Sequence, residues 1–386
     1  MKTIVVLGTG VAATAVIRQT MKTTVLPRKD VRMVVVSPNT HFLWPIAMPR
    51  AIVPGQLADE KVLFPLEPTF KEYPSDKFEF VLGTARSLDP SAKSVTVLTN
   101  NATESRTVHY DAIVIATGAS AKNDMPFKPM DTTQHVLDSL RRIQQDIKQA
   151  DTIVVAGGGA TGVETAGELG YEYAEDGSKT VYFIHNESLP LSPPVIESVR
   201  KQAKSELEKL NVKILANTTI TSAKVTGKET VLELRQADGT TKSLTTQAYI
   251  PTMGVTPNTS FLPKSMLDSH GYVRQTTRLQ AEGHADIFVI GDAGNLEASK
   301  AAAAGAQARH LIQSLPLHLD GKDLPEYKLP TTAMIGITLG RSRGTGQVGT
   351  MKLFSFLIWY FKGRFLGTDY AGHLAAGKRT LTTKFE

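Results

Sequence analysis

One construction occurs twice in this chain, and it limits the folds available to it. Residues 3–13 read TIVVLGTGVAA and residues 152–162 read TIVVAGGGATG, 149 positions apart. In each copy a β-branched run ends in a glycine-rich turn. Helical spacing follows, on Val11, Ala15 and Ile17 in the first copy and on Val163, Ala166 and Leu169 in the second. Apolar runs without polar alternation suit strands buried on both faces. Second apolar runs, Met33–Val36 and Val181–Ile184, complete two βαβ units.

The turns carry chemistry. Gly8-Thr9-Gly10-Val11-Ala12-Ala13 is a G-x-G-x-x-A loop placed after a strand and opening a helix, and Gly157-Gly158-Gly159-Ala160-Thr161-Gly162 is a complete G-x-G-x-x-G in the same context. The first glycine makes the tight turn, the second admits a pyrophosphate, and the third small residue packs helix on strand. The helix N-terminus adds amide donors and a positive dipole end. One such loop can be mere punctuation; two in matched context read as two dinucleotide sites. Neither second strand ends in the acid expected at a ribose. The first ends in Ser37-Pro38-Asn39 and the second in His185-Asn186, so NADH and NADPH both stay open as coenzymes.

The rest of the chain fills in around these units. Phe78–Val81 and Ser94–Leu98 read as strands of a small antiparallel insertion. Val136, Leu140, Ile143 and Ile147 have helix spacing, as does the charged stretch 194–210. Strands are expected near 212–216, 219–226 and 230–236, with the Asp238-Gly239 turn leading into 242–250. A last buried strand, Ile287–Ile290, precedes a helix through 299–314, and Pro325 to Pro330 reads as a linker. Two strand ends stand out: YDAIVIATGA (110–119) and IFVIGDAGN (287–295). Each is weak alone, since an Asp after Gly at a strand end is often a helix cap.

Composition narrows the function. There are no cysteines, which excludes a disulfide framework, a thiolate metal site and a redox dithiol; no metal site is expected. The net charge is +6, and the stretch from Arg341 onward, with eight basic residues against two acids, carries all of it. That suits an anionic surface or ligand better than a protein-wide nucleic-acid footprint. No window approaches the roughly 18 apolar residues of a spanning helix. Glycines interrupt the apolar N-terminal run and no small-residue cleavage site follows, so the protein is expected to be intracellular, cytoplasmic or peripheral on an organelle membrane, and not secreted.

The order of loop, ATG, second loop and GD resembles the two-dinucleotide-domain flavoproteins of glutathione-reductase-like architecture. GGGATGVETAGEL (157–169), TMGVTPN (252–258), VIGDAGN (289–295), SKAAAAGAQA (299–308), LPEYKLPTTAMIGITLGRSRGTGQVG (324–349) and FLIWYFKGRFLGTD (356–369) are similar to the apoptosis-inducing-factor-like proteins of the ferroptosis-suppressor type, relatives of type II NADH dehydrogenases. HFLWPIAMPRAIVPG (41–55) resembles fungal-type members. The chain begins Met-Lys, so the Met-Gly start that some members use for N-myristoylation is not expected to operate.

The resemblance implies an α/β protein with two Rossmann-like domains and a C-terminal α+β segment. Its parts would be an FAD-binding domain in 1–122 and 263–325, an NAD(P)H-binding domain in 123–262, and a quinone- or membrane-facing segment in 326–386. It places Gly8, Gly10 and Ala13 at the FAD pyrophosphate, with Thr9, Val11 and Ala12 in the same loop, and Ser37 at the ribose. It aims Arg50 at the phosphates or flavin, sets Ala85 by the adenine, and passes Thr117 and Gly118 under the cofactor. Gly291 and Asp292 would meet the ribityl chain, with a helix from about 294 and Lys300 at the flavin's pyrimidine edge. On the second unit, Gly157, Gly159, Ala160, Thr161, Gly162, His185 and Gly254 would hold the coenzyme, and Glu164 would orient the nicotinamide. The alternative for Glu164 is simply an acid complementing a helix N-terminus.

The expected activity is hydride transfer from NAD(P)H to FAD and onward to a quinone. Alternatives are an oxidase or biosynthetic enzyme using oxygen or another small acceptor, and a flavoprotein whose basic tail contacts nucleic acid. Six aromatics lie between Phe354 and Phe365. Helical spacing puts Phe354, Leu357, Ile358 and Phe361 on one face, expected to wall a quinone channel with Phe361 and Lys362 nearest the flavin. Trp359, Tyr360 and the basic residues would rest on a membrane or lipid-droplet surface. The oligomeric state is not legible.

Overall fold

The computed structural model describes residues 1–100 and 105–385. Both repeated units form strand, turn and helix as the sequence predicts: Lys2–Leu7 then Ala13–Thr20, and Thr152–Ala156 then Ala160–Leu169.

The first unit centres an eight-stranded sheet. Its parallel core runs, from one side to the other, His284–Val289, Ala112–Ile115, Lys2–Leu7, Val31–Ser37 and the start of Phe78–Asp89. Ile4 and Val6 belong to one core cluster, and Val5 and Leu7 to the core on the opposite face. Burial on both sides explains why the run carries no polar alternation. Phe78–Asp89, Ser94–Thr99 and Ser105–His109 extend the sheet as an antiparallel meander.

The second unit builds a four-stranded parallel sheet ordered Lys213–Leu215, Thr180–Ile184, Thr152–Ala156 and Ala248–Pro251. The strand expected over 242–250 is two strands. Thr241–Thr246 pairs antiparallel with Glu229–Gln236, whereas Ala248–Pro251 crosses to lie parallel beside Thr152–Ala156. The switch is fixed by the buried Thr246 hydroxyl, 2.7 Å from the Thr152 carbonyl oxygen and 3.0 Å from that of Ala248.

The C-terminal segment is α+β. Met334–Leu339, Arg343–Val348 and Met351–Leu353 form an antiparallel sheet. On it lies a short helix, Ser355–Ile358, that continues as a π-turn, Trp359–Gly363. No helix among the described residues is long and apolar enough to cross a membrane.

Candidate active site

The C-terminal ends of four parallel strands lie side by side, and each carries one of the sequence motifs. The chain leaving each strand bonds to its neighbour's last carbonyls: the Gly8 amide to Val36 O at 2.8 Å, Ala116 to Leu7 O at 2.9 Å, and Ile290 to Ile115 O at 3.0 Å. This places Gly8–Ala13, Ser37, Thr117-Gly118 and Gly291-Asp292 along one crevice, where open α/β sheets bind ligands. Gly8, at φ +106°, could not carry a side chain, because its Cβ would lie 2.3 Å from Ala116 O. At Gly10 nothing lies within 4 Å of where a Cβ would be. That open cradle fits a nucleotide pyrophosphate. Beside it the buried Thr9 and Ser37 hydroxyls are 2.9 Å apart. Ala85 lies on the adjoining strand, where the register shifts between Ala85 and Ser87.

Three members of this first set have partners or positions the sequence did not disclose. Asp292 accepts a bond from the Lys128 ammonium. Lys300 is exposed and caps a helix that begins at Ala301, so no helix starts near 294; Gly291–Ala293 is instead a short 3-10 turn. Arg50 does not present its guanidinium freely to the crevice. Two of its nitrogens grip both oxygens of Glu168, at 2.9 and 2.8 Å, and Nη2 also donates to Gly363 O at 3.2 Å.

The second loop borders a cavity of about 380 Å³ lined by Gly157–Gly159, His185, Asn186 and Gly254. Gly162 packs so closely that a Cβ there would lie 1.9 Å from Gly157 O. His185 is 3% exposed, and neither ring nitrogen has a partner. Burial holds its pKa below the ordinary histidine value, so the ring is neutral near pH 7. An orphaned polar ring on the wall of a nucleotide-sized cavity fits a coenzyme hydroxyl. Arg200, whose charge acts on this ring, is tied at 2.6 Å to Glu187 and also donates to Leu189 O and Pro190 O. Asn258 joins the two units: Thr117 Oγ1 donates to its carbonyl at 2.7 Å, and its Nδ2 donates to Thr117 O at 3.0 Å.

Two residues that the sequence singled out separately meet. Glu164, 6% exposed, accepts on one oxygen, Oε1, from the Thr338 amide (3.0 Å), the Thr338 hydroxyl (3.2 Å) and the Lys362 ammonium (2.5 Å). Lys362 also donates to Gly336 O at 2.8 Å. Glu164 and Glu168 are one helical turn apart, so two buried carboxylates of one helix each hold a cation from elsewhere in the chain. The i, i+4 spacing was visible in the sequence; Thr338 and the choice of cations were not.

Phe361 departs from expectation. It is 76% exposed and Phe354 is 81% exposed, while Ile358 is buried. The π-turn, closed by the Arg364 amide on Trp359 O at 2.9 Å, adds one residue to the turn and rotates Phe361 away from the face it would share with Ile358 in a regular helix. Phe361 therefore joins Phe354, Phe356, Tyr360 and Phe365 on an exposed aromatic surface and does not wall an internal channel. Arg364 spreads over it, 5.0–5.5 Å from the Trp359, Tyr360 and Phe365 ring centres.

Twin dinucleotide cradles on two such sheets define a two-nucleotide flavoprotein, and the chain belongs to the pyridine nucleotide-disulphide oxidoreductase family, matching it over residues 2–308. It is an NAD(P)H-dependent flavin oxidoreductase with FAD as its cofactor. It is 38% identical to Oxidoreductase ptaL of Pestalotiopsis fici over 93% of this chain and 94% of that one. It is 26% identical to human Ferroptosis suppressor protein 1, over 68% and 71% of the two chains. Among solved structures, the sulfide:quinone oxidoreductase of Aquifex aeolicus superposes with TM-score 0.76 at 17% identity, covering 98% of this chain and 92% of that one. NDH2 of Plasmodium falciparum in complex with NADH also gives 0.76, at 14% identity over 96% and 99%. The family's name refers to disulphide chemistry, yet this chain has no cysteine to perform it.

Proposed function

We propose that the chain is an NAD(P)H:quinone oxidoreductase, with 1–122 and 263–325 holding FAD, 123–262 holding the coenzyme, and 326–386 facing quinone and membrane. The observation that carries this reading is the Glu164–Lys362 pair, which ties the coenzyme-loop helix to a segment bearing an exposed aromatic surface. Bound FAD would supply a two-electron relay between nicotinamide and acceptor.

The chain's own contribution is placement and charge. Gly8, Gly10 and Ala13 seat one pyrophosphate; Thr117, Gly118 and Asp292 border the same crevice. Gly157, Gly159 and Gly162 seat the other pyrophosphate, with His185 at a ribose. Three donors on one oxygen hold Glu164 in a single position, which suits a group that orients a nicotinamide. Lys362 holds an ammonium proton at a fixed atom, where an acceptor oxygen gaining charge would be stabilised. Without thiols, electrons leave to the acceptor with no dithiol relay. The exposed phenylalanines with Lys352 and Arg364 make a surface of the kind that rests on anionic lipid, the source of a lipid-soluble quinone. One fold neighbour carries quinone in its name.

Oxidation of NADH and NADPH by the FAD-loaded protein, with a short-chain ubiquinone, a menaquinone analogue or oxygen alone, tests the reading. Turnover should depend on added quinone. Equal turnover on oxygen alone, with peroxide release, would transfer the assignment to an oxidase.

A further inference from the structure

A cavity of about 630 Å³ opens where the C-terminal end of the chain folds back over the first glycine-loop helix. Its cations are Arg18 and Lys22 from that helix and the turn after it, and Lys378, Arg379 and Lys384 from the last residues. His373 also lines it, and Asp369 is its one lining carboxylate. Glu72 reaches Arg18 at 3.4 Å. The cavity lies beyond the FAD cradle along the same helix: Arg18 and Lys22 are five and nine residues past Ala13, about 7 and 13 Å along the axis.

The cluster is held by buried, specific contacts. The Gln19 side-chain amide donates to Gly377 O at 2.9 Å. Gly377 (φ +65°) approaches so closely that a Cβ would lie 2.3 Å from Thr14 O. The final turn closes through the Thr380 amide on Thr383 O (2.8 Å) and the Phe385 amide on Lys378 O (3.0 Å), which returns Lys384 alongside Arg379. Arg379 is fixed from two sides. Its guanidinium stacks 4.2 Å from the Tyr370 ring centre, and it donates to Thr380 O and Leu381 O. Lys378, Arg379 and Lys384 gather on one side of the concavity, and an anion entering it would lower their mutual repulsion. A guanidinium with its plane set by an aromatic ring, beside ammonium groups, matches the several oxygens of a phosphate.

We propose that this cavity is a binding site for a phosphomonoester or pyrophosphate group, separate from both dinucleotide sites. Two sources share that chemistry: the headgroup of an anionic phospholipid and a soluble phosphate ester. The experiment uses the full-length, FAD-loaded protein. Pyrophosphate binding is measured by calorimetry. Sedimentation is measured with phosphatidylcholine vesicles with and without phosphatidylinositol phosphate. Lys378→Glu/Lys384→Glu is compared with wild type, and Lys384→Glu alone, an exposed site near the chain end, serves if the double variant fails to fold.

Pyrophosphate should bind wild type in a salt-sensitive manner and bind the double variant at least about tenfold more weakly. Flavin content and flavin reduction by NADH should be unchanged. Vesicle binding that needs the inositol phosphate and is displaced by pyrophosphate identifies the lipid source; pyrophosphate binding without vesicle binding identifies a soluble ester. Both support the site. Equal pyrophosphate affinity in wild type and variants, or no pyrophosphate binding, would overturn it.

Discussion

Replacing Arg50 with methionine isolates the contact that holds three parts of the chain together. Arg50 is 7% exposed and Glu168 3% exposed, and the guanidinium meets both carboxylate oxygens while also reaching Gly363 O, next to Lys362. Methionine keeps the stem but leaves a buried carboxylate without its counter-ion, which costs about 3–5 kcal/mol. For 386 residues, unfolding entropy at about 2.1 cal/mol/K per residue is roughly 0.8 kcal/mol/K. The melting temperature of Arg50→Met should therefore fall by about 5 °C. Arg50→Met/Glu168→Met, which removes both charges, should recover most of that. Because Arg50 also bonds the turn that carries Lys362, quinone turnover should fall more than flavin reduction by NADH. Calorimetry and stopped-flow absorbance read the two effects. A melting temperature within about 1 °C of wild type, or a double variant no better than the single, would refute the reasoning.

Three further expectations follow from particular residues. Burial holds His185, His310 and His318 below the ordinary histidine range, so the unfolded chain takes up protons that the native state refuses. Stability should decline as pH falls below about 6.5, and equal melting temperatures at about pH 7.5 and 5.5 would contradict it. Asp292→Ala should weaken FAD retention by roughly 1–3 kcal/mol, measured by flavin release on dilution; unchanged retention would detach this motif from the flavin. With neutral His185 at the strand end and Arg200 already tied to Glu187, kcat/KM should favour NADH over NADPH by about tenfold or more, and equal values would refute this placement of the ribose.

Local chemistry was legible in the sequence, and long-range choices were not. The glycine loops, the buried strands and the Asp238-Gly239 turn depend on neighbours a few residues away, so patterning was enough to find them. The site's ion pairs join residues 118, 164 and 198 positions apart, and no local signal selects Arg50 for Glu168, Lys128 for Asp292 or Lys362 for Glu164. The strand expected over 242–250 failed at one residue, because tertiary bonding of Thr246 moved its second half to another sheet. Phe361 was placed on the wrong side for a related reason: helix spacing assumes 3.6 residues per turn, and the π-turn breaks that period. Asn258 stood within a motif the sequence had already flagged, but its bonds to Thr117 emerge only when the two units are packed together.

The proposed final step is electron transfer from the flavin to a quinone beside Lys362. The direct measurement reduces FAD-loaded protein anaerobically with NADH, then follows flavin reoxidation on mixing with a short-chain ubiquinone, in wild type, Lys362→Met and Lys362→Arg. Reduction by NADH should slow only modestly in Lys362→Met, because the Thr338 amide and hydroxyl still hold Glu164. Reoxidation by quinone should be rapid in wild type, slowed about 100-fold in Lys362→Met, and partly restored in Lys362→Arg. Quinone reoxidation no faster than reoxidation by air in wild type, or equal quinone rates in wild type and Lys362→Met, would contradict it.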